Sequence, residues 1–300
     1  DLLDLTNASG EAELNDNDFT LKIDGGDVLM PSGGKLRLAA GSMLAKNVLA
    51  LETMAYFDLD VAAAAQPLVE YLNEPSLAVI RHTGLDTSKL DGDARMKVAL
   101  NFPMVKDVPK ERIEVSVGAK LLNAALKEAL PGIDITEGQI DLAMDKGVLT
   151  AKGPARIAGI PSDIVWQRGP APDFHQSAVI KTVLDGEQRH KLGIDFGTLF
   201  RGPIAVTATI DNLADPQGRV DLTADLSDVE MRIRQIGWSR PAIPKTTAKL
   251  TFYSKGEKGP RVEDLEIKGR DLSIKGDMLL APKRQGLRSA RFTELNLSDE

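Results

Sequence analysis

The sequence predicts an all-β chain of antiparallel meanders with small helical inserts, and three observations predict it. Apolar and polar residues alternate along most of the chain, the pattern of a strand with one buried and one wet face. Clusters of Gly, Asp, Asn and Lys punctuate the alternation roughly every ten residues, where Gly and Asn accept the positive φ of tight reversals. No long helical pattern separates successive sets, which argues against βαβ units, whose crossovers need a dozen or more residues.

The first sixty residues carry the strand pattern. Asn15, Asp16, Asn17 and Asp18 crowd oxygen atoms that a calcium ion could use, but the Gly and distal Glu of a helix-loop-helix calcium loop are missing. They read as a polar hairpin turn, and Asp24-Gly25-Gly26-Asp27 reads as the next reversal. From Ala62 to Gly84 the chain predicts two short helices. Pro67 suits a first turn, Leu68, Val69 and Leu72 share a face, Pro75 can start a second helix and Gly84 can end it.

Ile113, Val115 and Val117 then alternate with Glu114 and Ser116 as a strand. The stretch Ala119 to Gly132 is rich in helix formers yet directly follows that strand, so helix and strand both stay open there. Ile140, Leu142 and Met144 make the next strand, Asp145-Lys146-Gly147 the next turn, and Thr150 to Gly169 reads as two short strands joined by a Pro turn. Gln167 to Gln176, with two prolines, marks a weak boundary. The organisation expected is a segment 1–86 of strands plus the helical insert, followed by a β region over 87–300. Three further sets complete the pattern: Ile204, Val206, Ala208 and Ile210; Val220, Leu222, Ala224 and Leu226; Val229, Met231 and Ile233. Lys255-Gly256-Glu257-Lys258-Gly259 is the last clear turn.

Composition narrows function mainly by exclusion. There are no cysteines, which removes disulfides, thiolate metal sites and Cys nucleophiles. A formal charge of -7 with both signs interspersed argues against a nucleic-acid surface, and aromatics at 4% leave little for stacking platforms. No apolar run is long enough to span a bilayer, and the chain, which begins at Asp1, reads as a soluble piece of something longer.

No GxSxG elbow, phosphate-binding Gly-rich loop or HExxH pair occurs. The three histidines, His82, His175 and His190, are far apart and read as surface or helix-end residues. Asp134, Glu137 and Asp141 read as solvated carboxylates without an acid and base pairing. No catalytic residue, metal ligand or cofactor is expected. Met144, Met231 and Met278 suit either core gaps or an adaptable lining, and Trp166 and Trp238 read as packing anchors. Arg232, Arg234, Arg240 and Lys245 read as a wet strand face with its loop.

Four ordered spans carry a family resemblance: Leu90 to Met104, Gly132 to Gly169, Phe200 to Ile210 and Met231 to Phe252. The second contains Gly153, Ala155, Ile157, Gly159, Pro161, Ile164 and Trp166, and the fourth contains Gly237, Trp238 and Pro241. In this order they resemble the AsmA-like repeat proteins of Gram-negative bacteria, closest to the YhdP type within the TamB/AsmA superfamily. The resemblance implies a long, twisted antiparallel sheet curled into an open groove. It further implies a periplasmic body tethered to the inner membrane by a helix absent from this sequence, with phospholipid as partner, and a role in lipid transport toward the outer membrane and in envelope homeostasis. The chain would then be an internal or C-terminal portion.

Physical chemistry supports such a groove, since an acyl chain gains about 0.8 kcal/mol for each methylene buried on an aliphatic surface. The expected lining is Ile113, Val115, Val117, Ile204, Val206, Ile210, Leu222, Leu226, Leu250 and Phe252. Alternation alone equally permits a closed β-sandwich, a scaffold or adhesion module in which the same residues form a dry core.

Overall fold

The computed structural model describes residues 4–72, 87–109, 112–130, 132–145, 148–169, 175–192, 199–257, 259–281 and 287–297. The fold is all-β. Among the described residues sixteen strands follow one another as an antiparallel meander in chain order, and that order does not close into a barrel. The chain divides into two compact units, Asp1–Gly159 and Ile160–Glu300.

In the first unit the strands are β1 (Leu5–Asn15), β2 (Asp18–Leu29), β3 (Lys35–Ala45), β4 (Met54–Ala64), β5 (Leu90–Pro103), β6 (Glu114–Leu130), β7 (Ile133–Asp145) and β8 (Val148–Ile157). Helix α1 (Ala65–Leu72) follows β4 directly, with Pro67 in its first turn as expected. The second expected helix lies outside the described residues. β4 pairs with β5 along its whole length, from Met54 opposite Pro103 to Ala64 opposite Asp93, so one sheet spans the expected boundary at residue 86.

Register places the apolar residues of these strands on one face, called here the inner face. One row across it runs Val28, Leu36, Ala63, Ala94, Leu121 and Ile140; the next runs Leu38, Val61, Met96, Ala119 and Leu142. Leu68 of α1 packs onto these rows, and Met30, Leu36, Ala94, Met96, Ala119 and Leu121 are buried with it.

The ambiguous stretch after Ala119 continues as strand to Leu130. Ladders to β5 and β7 on either side satisfy its backbone, and period two buries Ala119 and Leu121, so tertiary context overrides helix propensity. Asn123 and Glu128 adopt positive φ at irregularities in that ladder.

Two expected turns are corrected. Asp24 to Asp27 does not reverse the chain; it lies inside β2, where the register with β1 is irregular. Gly26 lies close under the Leu5 side chain, a Cβ on it falling 2.7 Å from Leu5 Cδ1, and on the paired strand β1 a Cβ on Gly10 would collide with the Lys22 carbonyl oxygen. The turn after β8 uses Ala158 and Gly159, both at positive φ, and no proline. The hairpin at Asp16 and Asn17 occurs as expected, with Asp16 at positive φ.

In the second unit the meander is β9 (Ile160–Arg168), β10 (Gln176–Leu184), β12 (Ile204–Ile210), β13 (Arg219–Asp225), β16 (Thr247–Tyr253), β17 (Arg261–Gly269), β18 (Leu272–Leu280) and β19 (Leu287–Leu297). A separate three-stranded sheet comprises β11 (Phe200–Arg201), β14 (Glu230–Ile233) and β15 (Trp238–Arg240). Helix α2 (Gly186–Lys191) starts at a capping box in which the Asp185 carboxylate accepts from Gln188 N–H and the Gln188 side chain accepts from Asp185 N–H. Met231 and Trp238 of the small sheet are buried against Ile204, Leu226, Ala248, Leu265 and Ile267 of the meander.

Candidate functional site: a partly open apolar face in each unit

Each unit covers only part of its inner face among the described residues. In the first unit α1 sits over the rows near Leu36 and Ala94, at the end of the strands where β3 and β6 respectively begin and finish. Toward the opposite end the rows continue with Leu59, Val98, Val117 and Met144, then with Leu21, Met43, Phe57 and Leu100. These residues are half-buried. The rings of Phe57 and Phe102 stack with centroids 5.5 Å apart and planes 10° from parallel. Phe57, Leu59, Leu100, Phe102 and Met144 lie outside the buried cluster around Leu68.

The second unit repeats the arrangement with a different cover. The small sheet shields the row Val206, Ala224, Ala248, Ile267 and Ile274. Beyond it Ile180, Ala208, Leu222 and Leu250 form one row, and Val220, Phe252, Val262 and Met278 another. Ile210, Leu222 and Phe252 are half-buried and belong to no buried cluster.

The expected lining therefore separates into two groups. Ile210, Leu222 and Phe252 stand half-buried on an inner face outside either buried cluster, whereas half-buried Val117 packs at the margin of the cluster around Leu68. Ile204 and Leu226 are buried beneath the three-stranded sheet, and Val206 and Leu250 pack against the same cluster, so these four are core or its margin. Ile113 is half-buried just before β6, outside the strand, and Val115 occupies the β6 position opposite Leu100.

The face of the first unit was missing from that expectation apart from the β6 residues. Its signal is nonetheless present in the sequence: Ala55, Phe57, Leu59, Val61 and Ala63 alternate with Tyr56, Asp58, Asp60 and Ala62, and Ala94, Met96, Val98, Leu100 and Phe102 alternate in the same way.

Charge lies mainly on the other face. In the second unit Lys268 pairs with Glu266 at 2.7 Å and Lys275 with Glu294 at 2.8 Å, with Lys275 also 3.9 Å from Glu266. The hydrogen bond from Lys268 holds the Glu266 carboxyl below its ordinary range, that from Lys275 does the same for Glu294, and Lys275 is raised in return. Asp134, Glu137 and Asp141 are exposed, and Arg156 and Lys120 neutralise the last two. A polar cleft of about 430 Å³ on β1 to β3, lined by Asn7, Asp24, Asp27, Lys35 and Arg37 among others, already contains the Lys35–Asp27 ion pair.

One basic residue departs from the expected wet face. Arg232, Arg234 and Lys245 are exposed, but Arg240 points inward and is buried. Its Nη2 donates to Thr246 Oγ1 at 3.0 Å and to the Arg270 carbonyl at 3.2 Å, and burial pushes the guanidinium below its usual pKa.

Among the described residues no three His, Asp or Glu side chains gather as metal ligands, and no helix is long and apolar enough to cross a membrane. No family model, curated protein or solved structure matches the chain.

Proposed function

We infer that the chain binds phospholipid acyl chains on its apolar sheet faces, as a non-enzymatic periplasmic segment of an inner-membrane-anchored bridge that carries lipid toward the outer membrane. The observation that carries this reading is the row of aliphatic and aromatic side chains left half-buried beyond each cover: Phe57, Leu59 and Leu100 in the first unit, Ile210, Leu222 and Phe252 in the second. A sandwich would bury such faces against a second sheet, whereas the described cover reaches only part of each. Aliphatic rows with little side-chain hydrogen bonding suit mixed acyl chains better than one shaped polar ligand. A periplasmic place and transport toward the outer membrane are what the resemblance to AsmA-like repeat proteins implies.

The test is mass spectrometry of organic extracts from the chain purified from a Gram-negative host. Phospholipid is expected in near-stoichiometric amount, with most of it lost when Leu100 and Leu222 become Asp and retained when the outward-facing Val183 becomes Asp. Recovery of no more lipid than from an equally treated control protein would point to the scaffold reading instead.

A further inference from the structure

The outer face of the first unit is dented at one level across three neighbouring strands. The β1–β2 ladder shifts register between Thr6 and Ser9 and again between Ser9 and Gly10, the β2–β3 ladder skips Asp24 and Gly25, and the β3–β4 ladder shifts between Leu38 and Ala40. Bulges gather where strands re-aim side chains beside a site. Here they surround the polar cleft of about 430 Å³. Gly25 lines it without a side chain, and a Cβ there would meet only the Leu38 carbonyl oxygen, at 3.5 Å. Arg37 stands on the outer face between buried Leu36 and Leu38, with Asp27 directly opposite on β2.

The charges in the cleft are only half matched. Asp27 accepts from Lys35 Nζ at 2.8 Å and from Asn7 Nδ2 at 3.3 Å. Arg37 and Asp24 line the same cleft, yet among the described residues no hydrogen bond or ion pair engages either of them, and none engages the Ser9 hydroxyl. We propose that the cleft binds a small zwitterionic phosphate ester with the chemistry of phosphoethanolamine, its phosphate on Arg37 beside Lys35 and its primary ammonium on Asp24. A simple anion would meet the Asp24 carboxylate and a simple cation the Arg37 guanidinium, whereas a ligand carrying both charges answers both. The planar guanidinium grips two oxygens of an oxyanion at once, and the neighbouring Lys35 ammonium favours a phosphate over a singly charged carboxylate. Ser9 can add a hydrogen bond to the ester. The volume falls within the range of about 300 to 1,000 Å³ that small-molecule sites occupy. Because the cleft lies on the outer face, this inference stands apart from acyl binding on the inner rows.

The experiment is calorimetric titration of the chain with phosphoethanolamine, inorganic phosphate and phosphocholine, run beside Arg37→Met and Asp24→Asn. Both positions are exposed, so thermal midpoints of the variants should match the parent and show that any loss is local. The expected result is saturable binding of phosphoethanolamine, weakened roughly tenfold or more in Arg37→Met. Phosphocholine, whose quaternary ammonium has no N–H to donate, should bind less tightly than phosphoethanolamine, and Asp24→Asn should erase that difference. Vesicles of phosphatidylcholine with and without phosphatidylethanolamine then separate the two sources of the ligand. Flotation that needs both phosphatidylethanolamine and Arg37 assigns the cleft to a lipid headgroup, and binding of the free ester without such flotation assigns it to a soluble one. The proposal is overturned if phosphoethanolamine shows no saturable binding, if Arg37→Met binds it as the parent does, or if phosphate and phosphocholine bind equally well.

Discussion

Arg240 shows how one side chain can join two layers at an electrostatic cost. It stands on β15 two residues after Trp238, with both side chains turned under the three-stranded sheet. Its guanidinium ties β15 to Thr246 and to the carbonyl of Arg270 in the β17–β18 turn. Burial opposes the charge, and Asp271 offsets only part of that opposition. Removing the head while keeping the stem should therefore cost little, since an apolar replacement relieves desolvation as it loses the bonds. Arg240→Met is expected to change unfolding free energy by no more than about 1 kcal/mol. Arg240→Ala leaves a cavity as well and is expected to cost about 2 kcal/mol or more. Urea titrations of the two variants check this; equal, large losses in both would mean that the charge itself is the tether.

Among elements, the adjacent strands β17, β18 and β19 present the clearest charge ladder, from Lys268 and Glu266 through Lys275 to Glu294. Both carboxyls titrate below their ordinary range in the folded chain. A depressed folded pKa contributes stability above the unfolded value, and the contribution disappears as pH falls through the folded one. Denaturation of the second unit should therefore become easier as pH drops from neutral through the carboxylate range, and Lys275→Met should flatten that dependence. The raised Lys275 works in the opposite sense, contributing below its unfolded pKa and fading as pH rises through its folded one. All three side chains keep part of their surface in water, so added salt should shrink both effects. An unchanged acid profile in Lys275→Met would show that the ladder contributes nothing measurable.

These strands also show what the sequence made legible. Alternation at 204–210 and 220–226 gives the strands and their inner face directly, because the side-chain period is two. It gave no sign that Ile204 and Leu226 are covered, since cover comes from β14 and β15, whose own alternation looks like another rung of the meander. The Asp24 to Asp27 cluster misled for a related reason. Glycines mark both tight turns and close approach within a strand, and only the pairing of this stretch with β1 and the Leu5 side chain against Gly26 distinguish the two.

At the scale of the molecule, the topology makes stability local. Within each unit the meander strands bond to their neighbours in chain order, so strands that are not neighbours are joined mainly through α1 and the three-stranded sheet. Such a chain approaches the nearest-neighbour limit, in which stability is a sum of adjacent pairings and can vary along the sheet. Every residue of β1 is exposed, and β19 is almost as open. β4 to β6 carry the load of Leu68, and β13, β16 and β17 carry that of Met231 and Trp238. Native-state hydrogen exchange should therefore be slowest at Met96, Ala119 and Leu121 in the first unit and at Ala248 and Leu265 in the second. It should be fastest along β1 and β19, although their ladder bonds are regular over much of their length. The open rows at Leu59, Val98, Leu222 and Phe252 should fall between and become more protected when phospholipid is restored to a delipidated sample. Uniform protection from β1 to β19 would contradict the nearest-neighbour account. Lipid-independent protection at the open rows would show that their burial is already complete without a ligand.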